Sequence, residues 1–450
     1  MKKTVTLLLI MAILLFTNAF GQDATEYKLR LVIPVLDAPE NFNIPHKYPS
    51  MDQALEFSSD FYELGFWGID EAGNKLFKDP QGDKLYNNVF KYALGLAFSK
   101  YGSELPVPLG VWAHEEYHRA VLGYNDIASE NGNWLFTRWD GTVFGVSDSS
   151  LTSLKRNDLV QLLYAYTSGI HYEANLSQQI SIKDFYNQRS HYKNALLLYN
   201  AWYIYDYFNF SASEKSDSVK VHAPTNESRN PLERDFAGAD LTAWVYDMFD
   251  PDLPFNSRDH FPNGDGVNRR IGFSDLSADA QDYLEKQKNL SLLNFVNPAI
   301  FFINRIRISD DFSFNFFTQY VPTHFGNDVA LYLPFTYRNY NLLVNLHRYS
   351  NKEDAGAGVG LGIYNLRLTG RLESDFSVNY WNQPKSFYSD EKISGGFINF
   401  ESRYQMSKKL AVFLAFDAKT KGWMIGEPDL YKDYSIQAGI NFNYSGKQNQ

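Results

Sequence analysis

The chain has 450 residues, no cysteine and a formal charge of −10. Without cysteine there can be no disulfide, thiolate metal site, cysteine nucleophile or lipoprotein anchor, so any protein-borne metal must be held by His, Asp and Glu. The acidic balance argues against a general nucleic-acid role, and the length suits two domains.

Lys2 and Lys3 precede an apolar run from Leu7 to Phe16, and Ala19-Phe20-Gly21 then offers small residues to a signal peptidase. Residues 1–21 therefore predict a secretory signal peptide, and the protein is expected to be exported. Residues 26–80 read as mixed, with a strand from Tyr27 to Ile33 and loop beyond. From 85 to 295 the pattern is mainly helical. Val89, Phe90, Ala93, Leu94 and Ala97 recur at helical spacing and predict a helix over 87–100. Pro106 and Pro108 break the chain, and a helix from about Leu109 should stop near Gly123. A hairpin turning on Asp140-Gly141 is expected within 134–146. Helices follow over 157–179, 191–210, 240–249 and 277–293, the last capped by Ser277. The polar stretch 211–232 reads as a mobile loop.

Beyond Pro298 the period changes to two. Phe312, Phe314 and Phe316 alternate with polar residues, as do Val359, Leu361 and Ile363, then Phe376, Val378 and Tyr380, then Leu410, Val412, Leu414 and Phe416. The pattern predicts about eight to ten antiparallel strands over 296–450, each about ten residues long, the length of a membrane strand. Arg305, Arg307, Asn345 and Arg367 sit on the alternate face, and aromatics, 16% of the chain, cluster near segment ends at Tyr349, Tyr380 and Trp381. These features favour a membrane β-barrel with lipid as its partner in a Gram-negative outer membrane. The alternative is a soluble sandwich or closed barrel, in the periplasm, with its apolar face inward.

The sharpest motif is His114-Glu115-Glu116-Tyr117-His118. On a helix, residues four apart share a face, so both imidazoles can hold one metal ion. Glu115 is rotated about 100° from His114, which places its carboxylate beside the ion rather than on it, where it can act as a general base. The flanking Val111, Trp112, Ala113, Ala120 and Val121 predict burial, and two buried histidines with a glutamate are costly unless paired or metal-bound. The motif resembles the zincin metallopeptidases, and that resemblance implies zinc, with His114 and His118 as ligands and Glu115 as catalytic base. In the gluzincin branch a glutamate on a later helix completes the site, which here implies Glu173 as the third ligand, with His171 as runner-up. Asp240 and Asp247 are candidates to orient the histidines, though a helix cap or a solvated residue is the plainer reading. Asn263-Gly264-Asp265-Gly266 lacks the spacing of a calcium loop and reads as a turn.

Together these readings predict an α+β protein, with a mainly helical zincin-like region over 22–295 followed by the barrel. The expected function is a zinc-dependent hydrolase, foremost a peptidase acting on peptide or protein, anchored in the outer membrane. The rival is a non-enzymatic outer-membrane channel or assembly protein in which the motif is structural.

Overall fold

A capping box that the composition of its surroundings disguises starts the helical part of the molecule. Ser50 Oγ accepts from the backbone N–H of Gln53 (3.1 Å), and Gln53 Oε1 accepts from that of Ser50 (3.2 Å). The helix so opened, α1 (Met51–Leu76), occupies a segment expected to be loop-rich. In the computed structural model, residues 29–39, 49–82, 84–187, 191–220 and 227–444 are described. The signal peptide expected at 1–21 lies outside the described residues.

Before α1 stands β1 (Leu29–Ala38). After it come α2 (Leu85–Ala97), which widens into a π-helical turn over Phe98–Gly102, and α3 (Gly110–Tyr124), which carries the histidine motif. The hairpin β2 (Glu130–Asn133) and β3 (Trp139–Phe144) follows. Its turn is not at Asp140-Gly141: those residues lie inside β3, where Gly141 takes a φ of +60°. A short helix α4 (Asp148–Asn157) comes next, and the helix expected over 157–179 is α5 (Leu159–Tyr186), which runs about two turns further. Then come α6 (Ala195–Ser211), α7 (Asp240–Phe249) and α8 (Ala278–Ser291), the last with Ser277 as its cap. The Asn263–Gly266 segment is a turn, with Phe261 N–H bonded to the Gly266 carbonyl at 2.9 Å.

α5 is buried on nearly every side from Gln161 to Ala174, as expected of a helix at the centre of a core. Asp247 of α7 ties its neighbours to it. The fully buried carboxylate takes Lys155 Nζ at 2.9 Å, Arg258 Nη2 at 2.9 Å and the Tyr166 hydroxyl at 3.1 Å. Asp247→Ala is expected to destabilise the fold by about 3–5 kcal/mol, because it leaves two buried cations uncompensated. Chemical denaturation would measure this, and an unchanged midpoint would refute it.

The strands run as β4 (Ile306–Arg307), β5 (Phe312–Phe314), β6 (Phe317–Thr323), β7 (Gly326–Tyr337), β8 (Tyr340–Ser350), β9 (Ala355–Arg367), β10 (Leu372–Pro384), β11 (Lys392–Gln405), β12 (Leu410–Lys419) and β13 (Asp433–Tyr444). They pair in sequence, β5 and β6 lying end to end along β7. β1 adds to the far side as the antiparallel neighbour of β13. The order runs β1-β13-β12-β11-β10-β9-β8-β7-β5-β4, and β1 and β4 do not meet. The sheet is therefore open, and the closed membrane barrel expected over 296–450 is corrected. The outer-membrane location and the lipid partner rested on that closure and are corrected with it. The physical reason is that an open edge carries unpaired N–H and C=O groups, each costing several kcal/mol in hydrocarbon. Among the described residues no helix is long and apolar enough to cross a membrane.

The alternation itself is present. Val359, Leu361, Phe376, Val378, Phe400 and Leu414 are exposed on one face of the sheet. The polar face turns toward the helices. Gln319 Nε2 donates to the Ala174 carbonyl (2.8 Å), the Tyr332 hydroxyl to Gln178 (3.0 Å) and Trp244 Nε1 to the Thr323 carbonyl (3.1 Å).

Candidate metal centre

α3 begins where Leu109, in an extended conformation after Pro108, hands the chain to Gly110, whose N–H donates to the Tyr62 hydroxyl (3.2 Å). Its buried residues include Trp112, Ala113, Tyr117, Val121 and Leu122, so packing holds the motif inside. His114 and His118 lie one turn apart, their ring centroids separated by 5.0 Å.

Both rings are fixed from behind. His118 Nδ1 lies 2.6 Å from the Ala165 carbonyl, which makes Nδ1 the protonated nitrogen and frees Nε2. His114 Nδ1 lies 3.2 and 3.3 Å from the two Glu173 oxygens. The two Nε2 atoms then converge on Asp240, each 3.4 Å from its Oδ2. Asp240 is the first residue of α7, where a carboxylate also suits the helix dipole. The Tyr207 hydroxyl donates to the same Oδ2 at 2.8 Å. His114, His118 and Asp240 thus offer three ligand atoms within 4.8 Å of one another, a cluster able to coordinate a metal ion.

The donor set fits such an ion: neutral imidazole nitrogens and one carboxylate, with protein ligands leaving a coordination position open. The space fits too. Opposite the rings stands Gly169 of α5, and a Cβ there would lie 2.2 Å from His118 Nε2 and 2.3 Å from His114 Nε2. Charge also holds the cluster together. Burial works against the His114 imidazolium, but Glu173 and Asp240 outweigh it and raise its pKa well above the usual value. Burial likewise opposes ionised Asp240, and the two histidines overcome it and hold its carboxyl far below the usual range.

The two glutamates of the motif differ sharply. Glu116 is bound by Arg119 Nη1 at 2.6 Å and by Asn131 Nδ2 at 2.8 Å. The Glu115 carboxylate, on a residue 7% exposed, has no hydrogen-bond partner among the described residues. Burial, foremost, pushes it well above the usual carboxylate range. A buried carboxylate kept free of partners is suited to moving a proton.

Of the residues singled out in the sequence, the structure brings His114, His118, Glu115 and Glu173 together. Glu173 stands at the back of the His114 ring, on Nδ1. His171 faces elsewhere: its Nε2 lies 2.5 Å from the Pro322 carbonyl, and burial drops its pKa to about 3. Asp240 and Asp247 separate in role, the first at the histidines and the second in the core network described above. Gly169, Tyr207 and the Ala165 carbonyl carried no signal in the sequence. The buried His-Glu-x-x-His helix with Asp240 is consistent with a zincin-type hydrolase centre.

No family model matches the chain, and no curated protein matches it. Among solved structures, the NanC porin in a rhombohedral crystal form is similar over 31% of this chain and 74% of that one, at 10% identity and a TM-score of 0.24. A likeness so slight carries no argument about fold or function.

Proposed function

We propose that this protein is a zinc-dependent hydrolase of acyl bonds, with peptides as the leading substrate class. The observation that carries the reading is the convergence of His114 Nε2, His118 Nε2 and Asp240 Oδ2 beside Glu115, whose carboxylate accepts no hydrogen bond among the described residues. In this reading Asp240 is the third protein ligand, in place of Glu173, and Glu173 orients the His114 ring. When bound, zinc supplies a Lewis acid that polarises a carbonyl and makes water more acidic. Glu115 takes the proton of the attacking water and passes it to the leaving nitrogen. Tyr207 holds the Asp240 carboxylate in place, and the Ala165 carbonyl holds the His118 tautomer.

The test is elemental analysis of the purified protein with an activity screen. About one zinc per chain, lost in Asp240→Ala, is expected. Stoichiometric iron instead would turn the same two histidines and carboxylate toward oxygen chemistry and refute the hydrolase. Glu173→Gln is expected to weaken zinc binding by about ten- to a hundredfold, the usual effect of losing a carboxylate behind a metal-bound histidine. Competition with a chromogenic chelator measures it. If Glu173→Gln abolishes binding while Asp240→Ala retains it, the two roles are reversed.

A further inference from the structure

A cavity of about 330 Å³, apart from the histidine cluster, lies between α1, α5 and the polar face of the sheet. None of His114, Glu115, His118 and Asp240 lines it. Its volume falls in the range of small-molecule sites. We propose that this cavity binds a small organic cation bearing primary ammonium groups.

The charge balance of the walls motivates this. Six carboxylates line the cavity against Arg30, Lys183 and Arg403. Arg403 is taken up by Asp375 (2.7 and 2.8 Å) and Glu401 (2.7 Å), and Lys183 by Glu56 (3.1 and 3.2 Å). Asp52, Asp417 and Glu427 remain; among the described residues no ion pair reaches any of them, and the one cation whose charge acts on Glu427 is Lys419, whose Nζ donates to the Asp429 and Tyr431 carbonyls. Asp52 and Asp417 share the side-chain amide of Gln437, which donates to both, and Asp417 also accepts from Asn399 Nδ2 (2.6 Å) and the Ser435 hydroxyl (3.4 Å). The Glu427 carboxylate accepts no hydrogen bond among the described residues. Burial first, and then neighbouring carboxylates, push Asp52 and Asp417 up to about 7. A cation placed among them relieves that repulsion.

Independent of charge, the walls hold spare hydrogen-bond acceptors. Asn345 (8% exposed) and Asn441 (2% exposed) line the same cavity, and the Oδ1 atom of each is buried without a partner among the described residues. Buried amide oxygens are rarely left so, and each accepts only from a donor. An ammonium group brings three donors and no acceptor. Tyr332, Tyr349, Trp381 and Trp423 add aromatic walls, which attract cations and pack on a methylene chain. A bare metal ion fits less well, because the close three-ligand cluster found among the described residues is that of His114, His118 and Asp240.

Titration calorimetry of the whole chain with 1,4-diaminobutane tests the proposal, with 1,4-butanediol as a neutral probe of equal length. The diamine is expected to bind and the diol not to. Asp417→Asn and Glu427→Gln are each expected to weaken diamine binding by about tenfold or more, the scale of a hydrogen bond to a charged group. Circular dichroism and a thermal midpoint confirm that each variant is folded. Absence of diamine binding up to about 10 mM overturns the proposal. So does equal binding by the folded variants, or binding of the diol as tightly as the diamine.

Discussion

Glu115→Gln is expected to keep its zinc and its fold and to lose hydrolysis by about a hundred- to ten-thousandfold, the usual effect of removing a general base. Glutamine matches glutamate in size, so the packing of α3 is unchanged. The Glu115 carboxylate has no hydrogen-bond partner among the described residues, so no structural bond is broken by the change. Glu116 serves as an internal contrast. Its carboxylate is bound to Arg119 and Asn131, so Glu116→Gln should lower stability before it lowers the catalytic step. Zinc content, thermal midpoint and kcat measured on both variants separate the roles. Loss of zinc in Glu115→Gln would make Glu115 a ligand, and full activity would remove it from the reaction.

Gly169→Ala is expected to lose the metal, with a fall in affinity greater than the roughly hundredfold seen for groups behind a ligand. A glycine in a helix interior costs up to about 1 kcal/mol relative to alanine, so α5 should prefer alanine on propensity alone. The site gives the reason it does not have one. The added Cβ would stand 2.2 and 2.3 Å from the two Nε2 atoms, close to the distance at which zinc itself would sit from them. To accept it, the rings must turn away from each other. The diagnostic outcome is a variant that is helical by circular dichroism yet fails to compete with a chelator for zinc. Wild-type zinc affinity in Gly169→Ala would place the ion elsewhere.

Local chemistry made much of this protein legible. His114 and His118 were placed on one face by spacing alone, and the apolar flanks foretold their burial. The helix over 240–249 and the Ser277 cap were readable because each rests on contacts within a few residues. α1 is equally local, resting on its Ser50–Gln53 box, yet the expectation for this segment was loop. The strand alternation was legible for the same reason, since period two reports only which face is apolar. Closure is a different property. It depends on whether the first and last strands meet, which follows from strand number, tilt and stagger summed over the whole sheet. β1 joins β13 across the length of the chain and β4 stays apart from it, and no short segment encodes either fact.

The site divides along the same line. The sequence by itself determined the pair of histidines, the glutamate beside them and the chemistry they suit. Tertiary structure decided what completes them. Asp240 lies 126 residues from His114 in the chain and reaches it only because α7 packs against α5. Glu173 shares the site from behind His114 because α5 crosses α3 at Gly169, where the lack of a Cβ leaves room beside the two Nε2 atoms. Ligand sets assembled from separate helices are fixed by packing, and packing is not periodic in sequence.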